Sequence, residues 1–116
     1  MFSIIIPTWN NLPYLKLVVD SLRRHSQYEH QVIVHINDGT DGSLEWVRNE
    51  GIEHTASPAN IGICHAVNLA AARARHNYVV YMNDDMYVCP GWDAALVRHI
   101  EKMPSDLFRL SGTMIE

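Results

Sequence analysis

The chain opens on a short apolar, β-branched run, residues 2–6, closed by Pro7. With no polar face, this run reads as a strand buried on both sides. Asn10 or Asn11 is placed to cap the helix that follows, with Pro13 in its first turn. In that helix Leu15, Val18, Val19 and Leu22 recur at i, i+3, i+4 and i+7, the stripe of a helix lying on a sheet. Residues 31–36 form a second strand, with Val32, Val34 and Ile36 on one face. Residues 37–43, Asn-Asp-Gly-Thr-Asp-Gly-Ser, supply a turn and a Ser43 helix cap before a short helix over residues 44–49. Residues 52–56 make a weaker third strand. Asn60, Ile61 and Gly62 open an Ala-rich helix whose stripe is Ile63, Ala66, Val67, Ala70 and Ala74. Residues 78–82 are a fourth strand, and Pro90 and Gly91 start a helix carrying Trp92, Leu96 and Ile100 on one face. Residues 107–110 fit a fifth strand. Strand and helix alternate over connections too long for hairpins, so the expected class is α/β, with a mostly parallel sheet sandwiched between helices in the Rossmann-like manner.

Composition narrows the function classes. At 116 residues, 47% hydrophobic and 19% charged, the chain has the length of one domain with ordinary globular content. Its net charge of −4 and scattered Lys and Arg argue against nucleic acid as a partner. No apolar run reaches the roughly 18 residues of a membrane span, and the first residues lack the charged region of a secretory signal. Cys64 and Cys89 stand alone, which fits reduced thiols in a cytosolic protein. The expected location is the cytoplasm or the inner face of a membrane.

In open parallel sheets, ligands sit beyond the carboxyl ends of the strands. Polar and acidic residues gather there: Pro7-Thr8-Trp9-Asn10 after the first strand, Asn37-Asp38-Gly39 after the second, Asn83-Asp84-Asp85 after the fourth. Strand alternation would put Asn83 and Asp85 on one side and Asp84 on the other. Carboxylates at an exposed strand end suit a hard cation, Mg²⁺ or Mn²⁺, with Asp85 as ligand; the same triplet also reads as a polar turn. Asp38 fits either an Asx-turn or a carboxylate that accepts the imide N–H of a uracil or thymine ring. Asp41 reads as a turn residue. Asn60 and Gly62 lie at a helix N-terminus, which favours an anion, though the spacing is neither a P-loop nor a dinucleotide fingerprint. The histidines form no metal motif. His35 reads as a neutral core residue and the others as surface positions, with His65 nearest the site. Trp46 and Trp92 fall on core positions, and Trp9 is placed to flank a base.

Together these segments resemble the N-terminal, nucleotide-sugar-binding half of family 2 glycosyltransferases, which have the GT-A fold. Residues 3–10, Ser-Ile-Ile-Ile-Pro-Thr-Trp-Asn, are similar to that family's opening strand and loop. Residues 37–43 resemble its Asp-Asp-Gly-Ser-x-Asp-Gly turn, and residues 60–68 its Asn-x-Gly…Asn helix. Residues 81–85, Tyr-Met-Asn-Asp-Asp, with Pro90-Gly91-Trp92 beyond, resemble its D-x-D-type metal segment. Two positions depart from the pattern: Asn37 stands for the first acid of the usual pair, and Asn83 stands where many members carry Asp.

The resemblance implies transfer of a sugar from a UDP-, GDP- or dTDP-sugar to a glycan or other hydroxyl acceptor, with inversion, in polysaccharide biosynthesis. It implies a nucleotide-binding set of Pro7, Thr8, Asn10, Asp38, Asn60, Gly62, Asn83 and Asp84. Asp84 and Asp85 would bridge the diphosphate through Mn²⁺ or Mg²⁺. The general base would follow the metal segment. Asp93, Glu101, Asp106 and Glu116 are the acids there, and none has a base's setting: the first three read as solvated. Residues 1–116 are therefore expected to be one donor-binding domain, cut before the acceptor-binding part. Two other readings are a non-catalytic nucleotide- or protein-binding module and a sugar-nucleotide nucleotidyltransferase. The second of these lacks its usual Gly-rich basic loop after the first strand.

Overall fold

A computed structural model describes residues 1–112. Four strands and four helices alternate: β1 (Phe2–Trp9), α1 (Leu12–His25), β2 (Gln31–Asn37), α2 (Ser43–Asn49), β3 (Glu53–Ser57), α3 (Ile63–Ala71), β4 (Tyr78–Tyr81) and α4 (Trp92–Glu101). The strands make one sheet in the order β3-β2-β1-β4, parallel throughout. The chain steps outward from β1 to β2 to β3, then returns to place β4 on the other side of β1. Strand order therefore reverses between β1 and β4, and that is where such sheets open a crevice.

β1 is buried along its length up to Thr8 and supplies both faces of the core. Phe2, Ile4 and Ile6 point with Val34 and Ile36 into the larger cluster, against Leu15, Val18, Val19 and Leu22 of α1 and Val47 of α2. Trp46, Trp92, Leu96 and Ile100 pack on the same cluster, as their helical spacing predicts. On the opposite face Ile5 and Ile33 meet Ala70 of α3, with Val67 and Ala71 beside it. Each fully buried isoleucine contributes about 1.5–3 kcal/mol. Among the described residues, no helix is long and apolar enough to cross a membrane. Cys64 and Cys89 are free and exposed.

Several expectations change. Pro7 does not stop β1; the strand runs on to Trp9, with Pro7 opposite His35. The reason lies in parity. Ile5 accepts a hydrogen bond from Met82 N–H, so odd positions of β1 turn their backbone groups toward β4. β4 ends at Tyr81, opposite Ile5, so the N–H that Pro7 lacks would have had no partner. Residues 107–110 form no strand; Phe108 instead packs on Tyr78, with ring centroids 5.6 Å apart, and Leu107 is 95% exposed. Ile63 and Ala74 also leave the predicted stripe of α3: Ile63 is exposed, and Ala74 lies past the helix end.

The largest correction concerns His30 and Asp93, expected to be solvated and found buried together. Asp93 Oδ2 accepts from the Gln27 and Tyr28 N–H groups and from His30 Nε2, at 2.8, 2.9 and 2.9 Å. Phe2 N–H donates to His30 Nδ1 at 3.1 Å, which leaves the proton on Nε2 and the ring neutral. The ring also stacks on Phe2 at 5.0 Å. This cluster fastens the start of α4 to the loop between α1 and β2. His35, by contrast, is the buried neutral residue that its strand position predicts, bonded to Thr55 and Ser57.

Burial holds the His30 imidazole below its ordinary value, against the opposing pull of Asp93, and burial likewise lowers His35. For Asp93, burial alone would raise the carboxyl, but the hydrogen bonds from Tyr28, His30, Ala94 and Gln27 outweigh it and lower it. Between the lowered folded values and the ordinary histidine value of about 6.5, the unfolded chain holds protons that the folded chain does not. Stability is therefore full above that value and falls with pH below it, and Asp93 extends the loss into the carboxylate range. The melting temperature is expected to be lower at pH 5.5 than at pH 7.5; equal values would show that the two imidazoles are not held neutral. Asp93→Ala should cost about 3–5 kcal/mol in urea denaturation, because it leaves buried donors without an acceptor.

Candidate functional site

The carboxyl ends of β1, β2 and β4 and the loop before α3 surround a cleft of about 440 Å³. Its walls include Pro7, Thr8, Asn10, Asn60, Gly62, Asn83, Asp84 and Asp85. Of the residues anticipated from sequence, only Asp38 does not line it directly. The cleft also takes in Trp9, 57% exposed at the rim, as well as Asn11, Asn37, Ile63 and Tyr81. Ile63 carries no such signal in the sequence, since it falls on the apolar stripe of α3, and Tyr81 enters only as the first residue of the segment 81–85.

Each wall has a local cause. Asn10 and Asp38 are the non-glycine residues with left-handed backbone among those described, at φ +45° and +65°. Asn and Asp tolerate that region best, because their short side chains bond locally. Asn10 Nδ2 reaches Asp38 Oδ2 at 3.4 Å and Thr40 Oγ1 at 3.1 Å, so Asp38 touches the cleft through Asn10. Gly39, at φ +78°, lets the chain turn where a Cβ would stand 2.8 Å from Ile36 Cγ2.

Asp41 does more than shape its own turn. Its Oδ2 accepts Leu12 N–H at 2.9 Å, and its Oδ1 accepts Ser43 N–H at 3.0 Å and also the Ser43 hydroxyl. Neither Asn10 nor Asn11 caps α1 with a side-chain bond; Asp41 does, from another loop. Ser43 is the first residue of α2, after Gly42, so it is not the cap expected from sequence. Burial would raise the Asp41 carboxyl, but the bonds from Ser43 and Leu12 outweigh it and hold it below the ordinary value.

Asn37 is buried, 4% exposed, at the end of β2. Its Nδ2 donates to Thr8 C=O at 3.1 Å, and its Oδ1 accepts Ile61 N–H at 3.0 Å. Asn60 Oδ1 accepts Gly62 N–H at 3.0 Å, which turns the chain into α3. Residues 83–85 sit in a turn and not in the strand, with Met86 N–H bonded back to Asn83 C=O, so strand alternation does not order the three side chains. Thr8 Oγ1 donates to Asp84 Oδ2 at 2.7 Å across the reversal between β1 and β4. The Tyr81 hydroxyl donates to Asn83 Oδ1. Burial and then the charges of Asp84 and Asp85 push that hydroxyl's pKa up.

The cleft carries two carboxylates and, among the described residues, no Lys or Arg. Among the described residues it contains no cluster of three or more His, Cys, Asp or Glu side chains, so a cation held by these residues would take most of its ligands from a bound molecule and water. Of the acids after Asp85, Asp93 is buried and fully engaged away from the cleft, Glu101 and Asp106 are exposed outside it, and Glu116 lies outside the described residues. His65 is exposed on α3 and does not line the cleft.

The family model described as Glycosyl transferase family 2 matches residues 3–111. A curated relative, the uncharacterized glycosyltransferase EpsJ of Bacillus subtilis (strain 168), is 27% identical over 112 residues, covering 92% of this chain and 32% of that protein. The solved structure of S. aureus TarS 1-349 in complex with UDP-GlcNAc superposes with a TM-score of 0.73 at 24% identity, over 87% of this chain and 31% of that one. The mannosyltransferase PcManGT from Pyrobaculum calidifontis, in complex with GDP-Man and Mn²⁺, gives a TM-score of 0.79 at 22% identity, over 89% and 32%. These structural likenesses establish the GT-A fold. The chain spans about a third of the length of these relatives.

Because Asp41 bonds both the start of α1 and the start of α2, Asp41→Ala is expected to destabilise the fold by about 1–2 kcal/mol, the scale of a lost helix cap. Urea denaturation with unchanged m-value checks this; a loss below the error of the method would show that water replaces the carboxylate.

Proposed function

The chain belongs to glycosyl transferase family 2, and from that we propose that residues 1–116 are the donor-binding domain of a metal-dependent, inverting glycosyltransferase. The donor is a nucleoside-diphosphate sugar and the acceptor a glycan or other hydroxyl. One observation carries the reading: the cleft at the strand ends holds Asp84 and Asp85 and, among the described residues, no basic side chain. A diphosphate placed beside two carboxylates requires an added cation. Their oxygen donors fit Mn²⁺ or Mg²⁺, which share their shell with phosphate oxygens and water. Among the described residues, none hydrogen-bonds the exposed Asp85 carboxylate, so Asp85 is free to serve as ligand, with Asp84 beside it. When bound, the metal would neutralise charge that develops on the nucleoside-diphosphate leaving group.

In this reading the chain's own residues bind and orient the donor. Asp38 accepts the imide N–H of the base, and Asn10 holds Asp38 in place. Pro7 and Thr8 form the wall beneath the nucleoside, Asn60 and Gly62 the wall at the mouth of α3, and Asn83 and Asp84 face the ribose and diphosphate. Trp9 stands where its ring can cover the base. Asp93 is excluded as general base by its burial and its donors, and Glu101 and Asp106 lie outside the cleft. The likenesses support this reading: the neighbours named above are complexes with UDP-GlcNAc and with GDP-Man and Mn²⁺. The protein would then work in the cytoplasm or at the inner face of a membrane, in polysaccharide assembly.

Calorimetry with UDP, GDP and dTDP, with and without Mn²⁺, tests the proposal. Binding of at least one nucleotide should be metal-dependent and weaken tenfold or more in Asp85→Ala. Metal-free binding that Asp85→Ala leaves unchanged would favour a non-catalytic binding module, and no binding under any condition would overturn the proposal. Asp38→Gly, which removes the carboxylate but keeps a residue at ease at φ +65°, should weaken the nucleoside contact with the melting temperature nearly unchanged; unfolding would assign Asp38 to the turn alone.

A further inference from the structure

A line of hydrogen bonds runs under the whole cleft, from the mouth of α3 to the acidic turn. Ile61 N–H donates to Asn37 Oδ1, Asn37 Nδ2 donates to Thr8 C=O, and Thr8 Oγ1 donates to Asp84 Oδ2, at 3.0, 3.1 and 2.7 Å. Asn37 and Thr8 are both buried, at 4% and 2% exposure, so the bond between them is shielded from water, while the outer two bonds are part-buried. The partners fix which end of the Asn37 amide is which: a peptide N–H can only donate and a peptide carbonyl can only accept. Position 37 must therefore donate on one side and accept on the other. An amide does both, whereas an ionised carboxylate only accepts and would turn its charge on the Thr8 carbonyl oxygen.

We propose that Asn37 and Thr8 are positioning residues that hold Asp84 and the Asn60–Gly62 segment in fixed relation across the cleft, and that the amide at position 37 is required for this. Thr8 acts through Asp84: its hydroxyl is committed to the carboxylate, which anchors one Asp84 oxygen and aims the other. The consequence for donor binding rests on the reading given above, but the relay itself does not. Asn37→Asp keeps the shape of the side chain, removes the donor and sets a negative charge against the Thr8 carbonyl oxygen. Thr8→Val keeps the shape and removes only the hydroxyl, and Thr8→Ser restores it.

Two measurements on the full chain separate the relay from the donor site. In amide hydrogen exchange at neutral pH without ligand, Asn37→Asp and Thr8→Val should each lower protection of the Met86 N–H, which closes the turn on Asn83 C=O, fivefold or more, and Thr8→Ser should match the parent. In calorimetry with UDP and Mn²⁺, the same two variants should bind about tenfold more weakly, with Thr8→Ser restored to within about twofold. Should Asn37→Asp fail to fold, Thr8→Val and Thr8→Ser carry the test alone. An acidic turn protected in Thr8→Val as in the parent overturns the proposal, as does nucleotide affinity unchanged in both isosteric variants. A parent chain that binds no nucleotide, with the exchange results as expected, counts against the donor-binding reading and leaves the relay standing.

Discussion

Everything in this molecule follows from a strand that can show neither face to water. β1 is apolar on both sides, so it needs helices above and below, and it needs a paired strand on each edge. Parallel neighbours meet those needs only through helical crossovers, and crossovers bring every strand end with the same polarity to one side of the sheet. The site is a product of that constraint. Thr8, Asn37 and the acidic turn lie far apart in sequence and become neighbours because the strands that precede them run the same way.

Much of this is legible in the sequence itself. Alternation of apolar runs with 3.6-residue stripes located the eight elements, and polar residues after three strands located the cleft. Where the reading failed, local pattern had no access to the tertiary partner. Asp93 looked solvated because an acid on the first turn of a helix commonly faces water, and its partners come from a loop more than sixty residues earlier. Pro7 looked like a terminator because the length of the strand opposite could not be known. Residues 107–110 had strand composition but no strand to pair with. Residues 83–85 were assigned alternating faces on a strand that had already ended.

The two departures from the family's pattern also acquire different meanings. Asn83 accepts from Tyr81, a contact between neighbours in sequence. Asn37 is tied to three other segments, through Thr8, Ile61 and Ser57, and the bonds it makes are ones an ionised acid could not all make. A substitution that looked like the loss of a carboxylate is, in the structure, the gain of a donor. Family membership and fold rest on the matched segments, while the roles of single side chains rest on geometry of this kind.

The position of β4 also sets an order of assembly. β1 meets β2 after some thirty intervening residues, but its other edge waits for Tyr78–Tyr81, more than seventy residues later in the chain. A growing chain therefore carries its most apolar, β-branched strand half-paired for much of its synthesis. Contacts this distant slow the final closure of a sheet, and an open apolar edge is a template for another chain. The same strand that organises the finished molecule is thus its main liability while the molecule is being made.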